Sequence, residues 1–120
     1  MSTPARSVFI FGLYLAGLGI VLMVAPNFLL GLFGIPETNE VWIRIVGVLV
    51  LLLGYYYTNA ARKGLTEFFK STVVARASVI VFFTAFVLLG YAPVTLIVFG
   101  AVDLVGAIWT GATLRSAQTH

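Results

Sequence analysis

The chain contains no cysteine, a single histidine and little charge, with only 9% of its residues acidic or basic. Each shortage excludes something. Without cysteine there is no disulfide, no thiolate metal site and no cysteine nucleophile. The one histidine, His120, is the last residue, so no imidazole sits inside an apolar segment to ligate haem or a metal ion. No cofactor and no metal are therefore expected. Acid–base or nucleophilic catalysis requires at least two convergent polar groups, and so few are present that a non-enzymatic role is the expectation. A nucleic-acid partner would need a basic face on a soluble surface, and the net charge of +3 comes from residues scattered between apolar runs.

What is present is hydrocarbon. Hydrophobic residues make up 61% of the sequence and the mean hydropathy is +1.09, well outside the range of a soluble domain of this length. Crossing a hydrocarbon layer of about 30 Å takes about 20 mostly apolar residues. Four segments qualify, roughly 7–25, 41–58, 73–91 and 94–114. The predicted fold is all-α: residues 1–120 form one domain, a bundle of four transmembrane helices in contact with the lipid bilayer. Arg6, Arg62, Lys63, Lys70, Arg76 and Arg115 flank one side of these spans, whereas Arg44 alone lies toward the other. Cytoplasmic flanks collect basic residues, so both termini are expected in the cytoplasm. The first span is longer than a signal-peptide core, and Pro26 would follow directly on a cut at Ala25, so it is read as a retained anchor.

Between the first and second spans, "APNFLLGLFGIPETNE" is broken by Pro26 and Pro36 but carries Phe28, Leu29, Leu30 and Phe33. It is too short to cross and is expected to lie in the interface as a short helix or turn. Thr38 or Asn39 is the expected N-cap of the second span. "NAARKGLTEFFKST" is read as an amphipathic turn on the cytoplasmic surface, and "GYAP" as a minimal hairpin between the third and fourth spans. Trp42, Tyr91, Tyr55, Tyr56, Tyr57 and Trp109 fall near the two boundaries as aromatic anchors, with Tyr55 or Tyr56 expected to turn inward and line a cavity.

The polar positions inside the apolar runs carry the functional argument. "VFGAVDLVGAIWT" places Asp103 in mid-span, about 15 Å beyond Pro93 at 1.5 Å per residue. Exposing it to lipid would cost about 3 kcal/mol, so it is expected to face protein. Gly100, Asp103, Ala107 and Thr110 or Gly111 recur at spacings of three and four, a small polar stripe that lets helices approach closely. The second span has Arg44, Gly47, Leu51, Gly54 and Thr58 on one face, and the first has Gly12, Ala16 and Gly19 with Tyr14 slightly off that line. Arg44 is expected to meet either Glu40 one turn above or Asp103 below. Arg76 is expected to snorkel to the headgroups, an inward role being the alternative. For Asp103 a structural hydrogen bond and a functional role both stand.

"VWIRIVGVLVLLLGYYYTNAAR" together with "FGAVDLVGAIW" resembles the DoxX-like group of small bacterial membrane proteins. That resemblance covers the whole chain and implies a four-helix bundle acting as an accessory subunit of a membrane assembly. The first expectation for function is accordingly a non-catalytic accessory or scaffold protein packing against another membrane subunit or a second copy of itself. The alternative is an intramembrane site for a hydrophobic small molecule, a lipid, quinone or amphiphile, near Asp103 and Arg44. A proton-coupled exporter is a third reading, weakened because exporters of comparable size carry their essential acid in the first helix, which here has none.

Overall fold

The computed structural model describes residues 1–118, which leaves His120 outside the described residues. Helix α1 runs Thr3–Val24, α2 Pro26–Leu32, α3 Trp42–Lys63, α4 Thr66–Leu88 and α5 Leu96–Gln118. No strand occurs among the described residues. Four of these helices, α1, α3, α4 and α5, are long and apolar enough to cross a membrane, as an all-α multi-pass protein requires. The longest dimension, 49 Å, exceeds a hydrocarbon layer of about 30 Å, enough for a bundle that crosses it.

Local chemistry sets the boundaries. The Ser2 side chain accepts from the Ala5 N–H at 3.2 Å and Pro4 follows in the first turn, so α1 starts four residues before the apolar run does. Gly64, at φ 64°, ends α3 in the left-handed conformation that a Cβ would oppose, and Thr66 already begins α4. The expected amphipathic turn is thereby corrected: nearly all of it is helix, and the two long helices are joined by Gly64 and Leu65 alone. The expected cap of the second span is also corrected. Asn27 brackets the backbone of Thr38, accepting from its N–H at 2.9 Å and donating to its carbonyl at 3.1 Å. Held this way, the segment before α3 stays irregular, Val41 becomes the N-cap, and the helix begins at Trp42. The Thr38 hydroxyl accepts instead from the Glu40 N–H at 3.1 Å.

The small-residue faces pack as their spacing predicts. A Cβ on Gly19 would lie 2.6 Å from the Leu51 nitrogen and 2.7 Å from the Gly47 carbonyl oxygen; one on Gly54 would lie 2.8 Å from both the Ala16 nitrogen and the Gly12 carbonyl oxygen. Backbone therefore rides on backbone along α1 and α3, and these form the tightest pair. Helices α4 and α5 form the second pair, with Gly100 against Ile80 and Gly111 against Val73. The α1 start, α3 end, α4 start and α5 end share one core, built from Ala5, Val8, Phe11, Leu15, Tyr57, Ala60, Ala61, Phe69 and Leu114. Both termini are thus at the same end of the bundle, here the terminal end; α2 sits at the other.

Candidate functional site

The two ends differ in how well they are filled. At the terminal end α4 buries Phe69, Thr72 and Arg76, and beyond Arg76 it buries nothing fully. Helices α3 and α4 therefore part toward the α2 end. A cavity of about 440 Å³ occupies the space, walled by Leu18 and Leu22 of α1, Val46 and Val50 of α3, and Val79 and Phe83 of α4. Leu29, Leu30 and Phe33 roof it. The roof is fastened to α5: the Phe33 ring stacks on Phe99 at 4.2 Å, and the Thr95 hydroxyl donates to the Phe33 carbonyl. Helix α2 owes this position to its own pattern, with Leu29 and Leu30 turned to the cavity and Phe28 and Leu32 turned outward.

Asp103 and Tyr14 are the polar groups in this lining, and all its other members are aliphatic or phenylalanine. The Asp103 carboxylate makes no hydrogen bond or ion pair among the described residues, and neither does the Tyr14 hydroxyl. The Tyr14 ring is held by Phe11 at 5.3 Å. Asp103 thus lines the space between the helices and is half-buried there, while its neighbours on the stripe do the packing. Ala107 is buried, Gly100 and Gly111 lie on α4, and Thr110 points to α1.

Arg76 lies toward the terminal end from Asp103, and here the snorkelling expectation is corrected. Arg76 is 3% exposed. Its Nη2 donates to the Thr110 hydroxyl at 2.8 Å and the Thr72 hydroxyl at 2.9 Å, and its Nε to the Thr72 carbonyl at 3.2 Å. The Ser7 hydroxyl donates to the Pro4 carbonyl at 2.7 Å and meets Thr110 Oγ1 at 2.7 Å. Since the one Ser7 proton goes to the Pro4 carbonyl, Thr110 donates to Ser7, giving one directed chain from Arg76 through Thr110 and Ser7 to the α1 backbone. The guanidinium also lies over the rings of Phe11 at 4.7 Å and Tyr57 at 5.7 Å. These partners from every long helix hold it inward, where a lone arginine would reach for water. Nη1 is buried without a hydrogen bond, close to where Gly106 would carry a Cβ. Arg76 and Asp103 sense each other's charge without touching, since the only ion pair among the described residues is Lys70 with Glu67.

The remaining expected site residues lie elsewhere. Arg44 does not approach Asp103 and forms no ion pair with Glu40. It is exposed and donates to the Met23 carbonyl, one of the last carbonyls of α1, which the helix itself leaves unpaired. Its position follows from Gly47, one turn on, which presses that face of α3 against α1. Tyr55 and Tyr56 both face outward, at 61% and 56% exposure, and Tyr57 is the inward ring. The helical angle explains this: Tyr57 stands three residues after the buried Gly54, whereas Tyr55 and Tyr56 are rotated away by about 100° and 200°. Ser7, Thr72 and Gly106 drew no attention in the sequence. Gly106 had a signal, since it stands three residues after Asp103 and four before Thr110 and so fits the spacing of that stripe.

No family model matches the chain, and no curated protein or solved structure matches it either.

Proposed function

We propose that this protein binds a membrane-dissolved amphiphile inside its helix bundle, with the apolar body in the cavity beneath α2 and the polar head at Asp103. The observation that supports this most directly is the pairing of an apolar space of about 440 Å³ with one unpartnered carboxylate in its wall. Small-molecule sites run from about 300 to 1,000 Å³ and combine apolar walls with a few polar groups that fix orientation. A carboxyl at mid-depth that stabilised the fold would be expected to hold a hydrogen bond across a helix interface, and this one holds none. The gap between α3 and α4 gives such a molecule a route from the bilayer. The cytoplasmic termini and a bacterial inner membrane belong to the same proposal, the first resting on the basic flanks of the spans and the second on the DoxX-like resemblance.

The accessory-subunit reading implied by the DoxX-like resemblance stands second. What favours it is α4, whose half nearest α2 leaves Val81, Phe82 and Leu88 exposed to whatever lies beside it. Native mass spectrometry of gently extracted protein distinguishes the two. Binding predicts an amphiphile that co-purifies with the parent and with Arg44→Ala but is lost from Asp103→Ala. Retention of the same molecule by Asp103→Ala, or a stoichiometric membrane partner in place of any small molecule, overturns the binding reading.

A further inference from the structure

The head that Asp103 receives is constrained by the charges already inside the bundle. Among the acids, Glu37 and Glu40 lie in the connection before α3, and Glu67 lies exposed at the terminal end, paired with Lys70 at 3.3 Å. Asp103 is therefore the one acid at mid-depth that can balance Arg76, whose hydrogen bonds all go to uncharged oxygens. The Asp103 carboxylate and the Arg76 guanidinium together carry no net charge. A cationic head on Asp103 would neutralise the carboxylate and leave the buried guanidinium uncompensated, and an uncompensated charge in a low-dielectric interior is strongly unfavourable. An anionic head would meet the carboxylate itself. A neutral head preserves the balance.

Hydrogen-bonding capacity narrows the class further. The lining offers an acceptor, the Asp103 carboxylate, and a donor, the Tyr14 hydroxyl, both free of partners within the chain. A hydroxyl or phenol head carries both complementary functions, a donor for Asp103 and an acceptor for Tyr14. A quaternary ammonium offers Tyr14 nothing, and a bare hydrocarbon offers neither group anything. We propose that the cavity selects an uncharged amphiphile with a hydroxyl or phenolic head, a long-chain alcohol or a reduced quinone being the chemistry that fits, over a lipophilic cation. This rests on the reading of the cavity as a binding site.

The test uses the full chain in phosphatidylcholine nanodiscs, titrated with decan-1-ol and, separately, with decyltrimethylammonium, whose charge does not vary with pH. Binding is counted by native mass spectrometry. The expected result is one equivalent of decanol bound to the parent more tightly than the cation. In Asp103→Asn, which keeps an acceptor oxygen but no charge, decanol binding is expected to weaken only a few-fold, whereas Asp103→Leu, which removes the acceptor, weakens it about tenfold or more. A cation that binds the parent as tightly as decanol or more tightly, or decanol binding that Asp103→Asn abolishes as fully as Asp103→Leu does while both variants keep the parent's far-ultraviolet circular dichroism, overturns the hydroxyl assignment while leaving a binding cavity in place. Saturable binding of neither probe overturns the cavity reading itself.

Discussion

The contact between Gly19 and Gly47 offers the sharpest perturbation of the fold. A Cβ at residue 19 would stand 2.6 Å from the Leu51 nitrogen, 2.7 Å from the Gly47 carbonyl oxygen and 2.9 Å from the Leu51 Cα. Optimal heavy-atom separations are about 3.5–4.0 Å, so the helices must part by roughly 1 Å, and the atoms in the way are backbone that no rotamer change moves aside. Overpacking of this kind costs about 1–3 kcal/mol. Gly17, two residues earlier on α1, has nothing within 4 Å of where its Cβ would be. Replacing either glycine by alanine brings the same gain in helix propensity, about 1 kcal/mol, so the difference between the two variants isolates the clash. Gly19→Ala is expected to be about 1–3 kcal/mol less stable than Gly17→Ala, read by far-ultraviolet circular dichroism as sodium dodecyl sulfate is mixed into neutral micelles. Gly47→Ala, whose Cβ would meet the Gly19 carbonyl oxygen at 2.8 Å, should combine with Gly19→Ala for less than the sum of the two costs, because one separation relieves both clashes. Equal stability of Gly17→Ala and Gly19→Ala would refute the backbone-on-backbone contact.

Other expectations follow from the polar groups and the roof. Thr110→Val removes the acceptor for Arg76 Nη2 and the partner of Ser7, so it should lower stability in the same titration by about 1–3 kcal/mol; an unchanged midpoint argues against the buried chain. Phe33→Ala removes the ring stacked on Phe99 and should speed release of bound decanol, measured by exchange against deuterated decanol, with little change in the unfolding midpoint. Asn27→Ala frees the backbone of Thr38 and should raise amide hydrogen exchange over residues 34–41 without changing it in α5. Tyr14→Phe should weaken decanol several-fold, the worth of one neutral hydrogen bond, and leave the fold intact.

What the sequence discloses and what it hides divide along a physical line. In lipid, small residues at spacings of three and four serve close helix approach, so the faces of Gly12, Ala16 and Gly19 and of Gly47 and Gly54 were readable before any coordinates, but not that they pack on each other. Asp103 was equally legible, since the cost of turning a carboxylate to lipid leaves inward as the direction. The two arginines were not. Arg44 and Arg76 both stand about a turn or two inside a span, and depth alone does not separate them. They are separated by Thr72, Thr110 and Ser7 around one and the free Met23 carbonyl near the other, partners that only the assembled helices bring together. Tyr57 was in principle readable from its angle to Gly54, but three adjacent tyrosines near a membrane boundary look like anchors. The cavity wall is leucine, valine and phenylalanine, the same alphabet that faces lipid, and nothing in composition tells a wall from an outer surface.

The hollow at the α2 end follows from where the small residues are used. Those of α3 are taken up by α1, and Gly100 of α5 is taken up by Ile80 of α4, so each pair closes along its length. The long helices of the two pairs meet chiefly toward the terminal end, through Ser7 with Thr110, Phe11 with Gly106, Tyr57 with Phe68, and Arg76 among them. Two tight pairs fastened at one end diverge toward the other, and α2 closes the top of the wedge without filling it. Tight packing and the open cavity thereby fall at different ends of the bundle. The buried arginine that locks the terminal end lies on the same side of the cavity as Asp103, so filling the wedge with packed side chains would stabilise the bundle but would bury the Asp103 carboxylate and the Tyr14 hydroxyl with no partner for either.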